Sequence, residues 1–333
     1  MNGPMRGAPG LRWLAFALGT MVALLHTTQA QAQNPAPDAV AAAASAPAVA
    51  TEPTVNTLKR RGTILIGHRE AALPFSFVVD GRPRGYAIDL CLRLVEGLRR
   101  RLDLPTLQVR FVQLQAAERL PAVISGRVDL ECGNTTANAE RRKSVSFTTP
   151  TFIAGAGVLV RADVAGTKRA GALLRELRGR RIVVASGTTG EKILRRANEA
   201  LYGLEPLIVK DNAEAFAALE SDRADAWITD DVLLAAYRAQ AKDPSRYLLL
   251  DKRHTIEPLA LMHRKNDPVF ERAVDAEVAA LFRAGQVEQL YQRWFQQPIP
   301  PRDVNLDLPP SRLLREIFRM PMKMQHEVDI IVL

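Results

Sequence analysis

The sequence predicts an α/β protein made of two related lobes, each a mainly parallel sheet flanked by helices. Three observations carry that prediction. Short β-branched runs alternate with stretches of helical periodicity along most of the 333 residues. The same alternation restarts near Arg180. Residues 118–130 (ERLPAVISGRVDL) and 214–226 (EAFAALESDRADA) also echo each other at a constant offset of 96, with Glu, Ala, Ser, Arg and Asp coinciding.

In the first half, residues 62–68 (GTILIGH) read as a strand, followed by a Pro-containing turn at 73–75. Ile88, Leu92, Leu94, Val95 and Leu98 fall at helical spacing across 88–102, with arginines on the opposite face. Residues 107–114 alternate as a strand, 116–125 read as a helix, and 128–132 as another strand. In the second half, 181–185 (RIVVA), 207–210 and 226–229 read as strands. Residues 191–201, 214–221 and 232–239 read as the intervening helices.

Residues 1–32 stand apart. Arg6 and Arg12 precede an apolar run from Trp13 to Leu25 that is short for a bilayer span, and Ala30-Gln31-Ala32 offers a signal-peptidase site. A retained membrane anchor is the alternative, but no Cys follows the run to carry a lipid. Residues 33–56, rich in Ala, Pro, Gln and Thr, read as a disordered linker. Loss of Arg6 and Arg12 with the signal lowers the formal charge from +9 to +7. The remaining arginines are scattered among acids and aromatics are sparse, which argues against nucleic acid as a partner. Cys91 and Cys132 form either one disulfide in an oxidising compartment or two separately buried thiols. His68, His254, His263 and His326 are dispersed, and no H-E-x-x-H, G-x-S-x-G or phosphate-loop motif is present. No metal, cofactor or catalytic set is therefore expected.

The candidate binding residues follow predicted strands, where open α/β sheets hold ligands. Asn134-Thr135-Thr136 with Arg141 supplies amide, hydroxyl and guanidinium groups suited to a carboxylate, or else a surface turn and a solvated basic helix. Residues 186–191 (SGTTGE), including Thr188 and Thr189, open a helix after a strand. They read as a small-anion site or as a simple capped helix. Asp230, before Asp231, is a partner for an ammonium or a helix cap. At the offset of 96, Asn134 corresponds to Asp230, which puts the two on opposite walls of one cleft. Arg69 and Arg119 either face that cleft or belong to surface ion pairs.

Together these segments resemble the amino-acid-binding family of periplasmic solute-binding proteins, in its glutamate/aspartate-binding branch. The matching stretches include GHRE (67–70), PFSF (74–77), GYAID (85–89), LQVRF (107–111), DLECGNTT (129–136) and ER (140–141). They continue through SGTTGE (186–191), ITDD (228–231), LMHRKNDP (261–268) and RWFQQPIPP (293–301), covering roughly residues 55–321. The resemblance implies a two-lobe fold with two crossing strands, near 152–161 and 255–263, closing on an amino acid. Lobe 1 would comprise 57–156 and the return at 257–321, lobe 2 would comprise 157–256, and 322–333 would form a tail. Arg141, Thr136 and Thr189 would hold the α-carboxylate, Asp230 and Asn134 the α-ammonium, and Arg69 and Arg119 a side-chain carboxylate. Where the branch has Ser, Ser and His, this chain has Ala116, Asn134 and Asn212, which puts the side-chain preference in question. The implied partners are an amino acid and an inner-membrane ABC permease with its ATPase. The implied state is a monomer in the periplasm without cofactor. A periplasmic dehydratase on a similar fold and a ligand-sensing domain are the rival readings.

Overall fold

The computed structural model describes residues 52–165 and 174–321. The expected signal (1–32), most of the expected linker and the tail (322–333) lie outside the described residues. The end of the expected linker is ordered, contrary to its composition. Thr54–Arg61 form a helix whose first N–H donates to Asp267 Oδ2 at 2.7 Å. That partner lies 213 positions away, so nothing local signals it.

Among the described residues twelve strands build two sheets and the link between them, and three more form a small meander. In order they are β1 (Thr63–His68), the meander β2 (Ala71–Ala72), β3 (Ser76–Val79) and β4 (Arg82–Arg84), then β5 (Gln108–Gln113), β6 (Leu130–Glu131) and β7 (Val145–Phe147). The chain crosses through β8 (Phe152–Ala154) into β9 (Ala156–Arg161), β10 (Arg181–Ala185), β11 (Glu205–Val209), β12 (Ala226–Asp230) and β13 (Tyr247–Leu249). It returns through β14 (Glu257–Leu259) to β15 (Met262–Arg264).

The sheets share one topology. The first runs β5-β1-β6-β15-β7 and the second β11-β10-β12-β9-β13. In each, three parallel strands in the order second, first, third are extended by two antiparallel ones. The parallel strands β1, β10 and β12 are apolar runs buried almost throughout, as a sheet covered on both faces requires. In each sheet the strand that has just crossed from the other lobe, β15 or β9, pairs with the third parallel strand, and the outermost strand, β7 or β13, belongs to its own lobe. Between the sheets, β8 and β14 pair antiparallel, Glu257 opposite Ala154.

The repeated Asp of the echo has the same task in both halves. Asp129 accepts the N–H of Leu65 on β1 at 2.7 Å and pairs with Arg61. Asp225 accepts the N–H of Arg181 on β10 at 2.8 Å and pairs with the Arg181 side chain. Each carboxylate thus fixes one parallel strand to the next.

Two features stiffen the ground under the cleft. Cys91, in the helix Tyr86–Arg101, is disulfide-bonded to Cys132, which follows β6. Both are fully buried, so the bond anchors the segment carrying Asn134 to Thr136 onto a core helix. Phe152 of β8 packs among Phe75, Tyr291 and Phe295, which seats one crossing strand in the core of the first lobe. Among the described residues no helix is long and apolar enough to cross a membrane.

Candidate functional site

Both sheets present the carboxyl ends of their parallel strands to a common cleft. Arg69 follows β1 and Asn134 to Thr136 follow β6; Thr188 and Thr189 follow β10, and Asp230 ends β12. This is the crevice that the 2-1-3 strand order opens, where neighbouring loops diverge and leave room for a ligand.

The two walls touch through polar groups. Asn134 Nδ2 donates to Asp230 Oδ2 at 2.8 Å, and Arg69 Nη2 to Asp211 Oδ2 at 2.7 Å. Arg141 Nη2 donates to the Gly187 carbonyl at 3.2 Å. The Ala71 carbonyl accepts both Asn212 Nδ2 at 3.0 Å and the Tyr237 hydroxyl at 2.9 Å.

Three buried arginines line the site: Arg69, Arg119 and Arg141. Their engagements differ. Arg69 is neutralised by Asp211 across the cleft. Among the described residues Arg119 has no carboxylate in ion-pair contact; Nε donates to the Ala116 carbonyl at 2.9 Å and Nη1 to Thr135 Oγ1 at 2.7 Å. Burial, reinforced by Arg69 and Arg141 nearby, pushes its pKa down to about 9, so it stays cationic at neutral pH. Arg141 donates to two backbone carbonyls, of Thr136 and Gly187, and burial likewise lowers its pKa. Arg119 and Arg141 are therefore cations with capacity left for an anion.

The buried acids beside these groups are Asp230, Glu131 and Glu257. Desolvation, with Glu257 adding repulsion, pushes the Asp230 carboxyl up to about 7. A ligand cation beside it would relieve both effects. Asn134 Oδ1, next to it, is buried with no hydrogen-bond partner, a second acceptor facing the same need. Glu131 Oε2 accepts the Thr135 hydroxyl at 2.7 Å, so Glu131 and Arg119 are linked through Thr135. Glu257 accepts the hydroxyls of Thr136, Thr189 and Thr255.

Of the nine residues picked from the sequence, Arg69, Arg119, Asn134, Thr136, Arg141, Thr189 and Asp230 place buried side chains where the strand ends of the two sheets meet. Two do other work. The Thr188 hydroxyl donates to the Ala185 carbonyl at 2.6 Å and accepts the Glu191 N–H, so it caps the helix Thr189–Glu199. The Asn212 amide nitrogen is spent on Ala71, a tie between the lobes. Sequence reasoning missed Glu131, Asp211 and Glu257, and named Thr135 only as part of the Asn134-Thr135-Thr136 run. The one signal available was an acid inside an apolar strand at Glu131 and Glu257. Among the described residues no group of acids, histidines or cysteines could hold a metal ion.

Comparison with known proteins gives the family. The family model for bacterial extracellular solute-binding proteins, family 3, matches residues 64–297. The chain is 38% identical over 287 residues to an L-glutamate/L-aspartate-binding protein of Pseudomonas aeruginosa, covering 85% of this chain and 93% of that one. It is 35% identical over 273 residues to a glutamate/aspartate import solute-binding protein of Salmonella typhimurium, covering 80% and 88%. Among solved structures, an ancestral amino acid-binding protein described as a precursor of cyclohexadienyl dehydratase aligns with TM-score 0.62 at 30% identity, over 74% of this chain and all of that one. An ancestral arginine-binding protein bound to arginine aligns with TM-score 0.63 at 25% identity, over 71% and 99%. With its two sheets of one topology, its paired crossing strands and this cleft, the chain belongs to the bacterial extracellular solute-binding proteins, family 3.

Proposed function

We propose that this chain is the solute-binding component of an ABC-type amino-acid uptake system and takes glutamate or aspartate into the interlobe cleft. The observation that carries this reading is the buried Asp230 carboxyl facing the cleft with two under-committed arginines, Arg119 and Arg141. An α-amino acid with an acidic side chain supplies one cation and two anions to match. In this reading Arg141 holds the α-carboxylate together with the N–H groups of Thr136 and Thr189. Asp230 and Asn134 Oδ1 take the ammonium, and Arg119 takes the side-chain carboxylate. Arg69 acts at one remove, through Asp211. The names of the relatives from Pseudomonas and Salmonella support the choice of glutamate and aspartate.

The lobes divide near residues 156/157 and 256/257, within the crossing segments, and residues 1–32 direct export to the periplasm. The protein works there as a monomer, without cofactor or turnover, and hands its ligand to an inner-membrane permease and ATPase. Calorimetric titration of residues 33–333 with the natural amino acids tests this. Binding of glutamate or aspartate with one-to-one stoichiometry is the expected result, and binding of neutral amino acids alone overturns the acidic assignment.

One observation favours a second reading. Burial pushes the Asp230 carboxyl up to about 7, and a buried carboxyl raised in this way is also what an acid-catalysed dehydration needs. Incubation with arogenate or prephenate separates the two: product formation would make the chain an enzyme.

A further inference from the structure

Glu257 stands outside the set of groups that meet the ligand, yet it controls two that do. Its side chain is completely buried in β14, one of the two strands by which the chain passes between lobes. A carboxylate there survives only if its lone pairs are filled, because desolvation without hydrogen bonds costs several kcal/mol. Hydroxyls fill them. Oε2 accepts Thr136 Oγ1 at 2.6 Å and Thr189 Oγ1 at 2.8 Å, and Oε1 accepts Thr255 Oγ1 at 2.8 Å. Thr136 follows a strand of the first sheet, and Thr189 opens a helix after a strand of the second. Thr255 lies on the returning segment and itself accepts the Ala156 N–H at 2.8 Å. One carboxylate thus gathers a hydroxyl from each lobe and one from the hinge.

A hydroxyl has a single hydrogen. Once Thr136 and Thr189 give theirs to Glu257, only oxygen lone pairs remain for whatever enters the cleft. Those two oxygens accept hydrogen bonds from an ammonium and repel a carboxylate. We propose that Glu257 is a positioning residue that turns the Thr136 and Thr189 hydroxyls into obligatory acceptors, thereby setting which end of a zwitterion each threonine faces. The α-carboxylate is then left to Arg141 and to backbone N–H groups. The inference rests on the amino-acid-binding reading and adds a source for its discrimination between an amino acid and the same diacid without the amine.

The test is a pair of ligands, glutamate and glutarate, titrated by calorimetry into the secreted protein and its variants. The wild type should bind glutamate and discriminate strongly against glutarate. Glu257→Gln retains an acceptor oxygen for the two threonines and should stay within about tenfold of wild type for glutamate. Glu257→Ala frees both hydroxyls to donate; the glutamate-over-glutarate ratio should fall by about tenfold or more. A merely structural role predicts something else: both ligands weakened alike in Glu257→Ala, with the ratio unchanged, and that result overturns the proposal. Should Glu257→Ala not fold, Thr136→Val with Thr189→Val decides instead. These should weaken glutamate by about tenfold and leave glutarate unaffected, whereas equal loss for both overturns the proposal. A wild type that binds no amino acid at all sinks the functional reading itself, a separate outcome.

Discussion

Asn134 donates a 2.8 Å hydrogen bond to Asp230, and the two residues stand 96 positions apart, the offset at which the two halves of the chain echo each other. Asn134 follows β6 and Asp230 ends β12, the third parallel strand of each sheet. Related lobes facing each other bring equivalent strand ends together, and here the equivalent residues meet. The cleft is thus a consequence of the repeat, and its asymmetry, an amide on one wall and a carboxylate on the other, suits a ligand with one cationic group.

The Asp230 carboxylate should be indispensable for any α-amino acid. Leaving a buried ammonium without its anion costs roughly 2–5 kcal/mol, or about 30-fold to several-thousand-fold in affinity. Asp230→Asn should show that loss for glutamate and aspartate alike. Its pH dependence has a definite sign. An ammonium binds the ionised form, while burial holds the carboxyl near about 7 in the unliganded closed form. Affinity should therefore fall as pH drops below about 7, by at most about tenfold per unit. The empty closed form behaves oppositely: a raised acid pKa stabilises it in acid, and that stability is lost as pH rises through about 7. Titrations between pH 5 and 8 read the slope, which Asp230→Asn should flatten.

Arg119 and Arg141 should separate by ligand. Arg119→Ala should weaken glutamate far more than glutamine, by about 30-fold to several-thousand-fold. Arg141→Ala should weaken both alike, because every amino acid has an α-carboxylate. Unchanged glutamate affinity in Arg119→Ala would sink the assignment of that arginine to the side chain.

Why some of this was readable and some was not has a physical answer. The strands β1, β10 and β12 are apolar runs between helices, so their covered position leaves a local pattern. β7 pairs with β15, and β9 with β12 and β13, strands so far along the chain that no window of sequence contains both members. Asn134, Thr136, Arg141, Thr189 and Asp230 were legible because functional groups after a strand end have few other reasons to be there. Glu257 was not, since an acid on a crossing strand is interpretable only once Thr136 and Thr189, 121 and 68 positions away, are seen to converge on it. Asp211 caps a helix by accepting the Asn212 N–H and also holds Arg69 from the opposite lobe, a long-range pairing with no local signal.

The Cys91–Cys132 bond should contribute to stability more than to recognition. Closing a loop across 41 positions contributes about 4 kcal/mol in the chain-entropy model. Cys91→Ala with Cys132→Ala should lower the urea midpoint markedly. Alkylation of unreduced, denatured wild type should find no free thiol, and two reactive thiols would rule the bond out in the secreted protein.

Closure itself can be obstructed at one atom. Gly187 lies at φ +73, and a Cβ placed there would sit 2.7 Å from Ala117 Cα on the opposite wall. That contact is with backbone, which cannot rotate away as a flexible side chain would. The Gly187 carbonyl also receives Arg141, so moving this loop back breaks a bond between the lobes. Gly187→Ala therefore has two costs of different kinds. The left-handed backbone conformation costs about 1 kcal/mol in every state of the protein. The clash with Ala117 exists only when the lobes meet, so it raises the closed state alone and shifts the population toward the open one. The variant should fold with a modest loss in Tm, bind glutamate at least about tenfold more weakly, and contract less on adding ligand. X-ray scattering of both proteins at saturating glutamate reads the difference. A wild type that contracts and a Gly187→Ala variant that contracts equally, at unchanged affinity, would show that this contact does not limit closure.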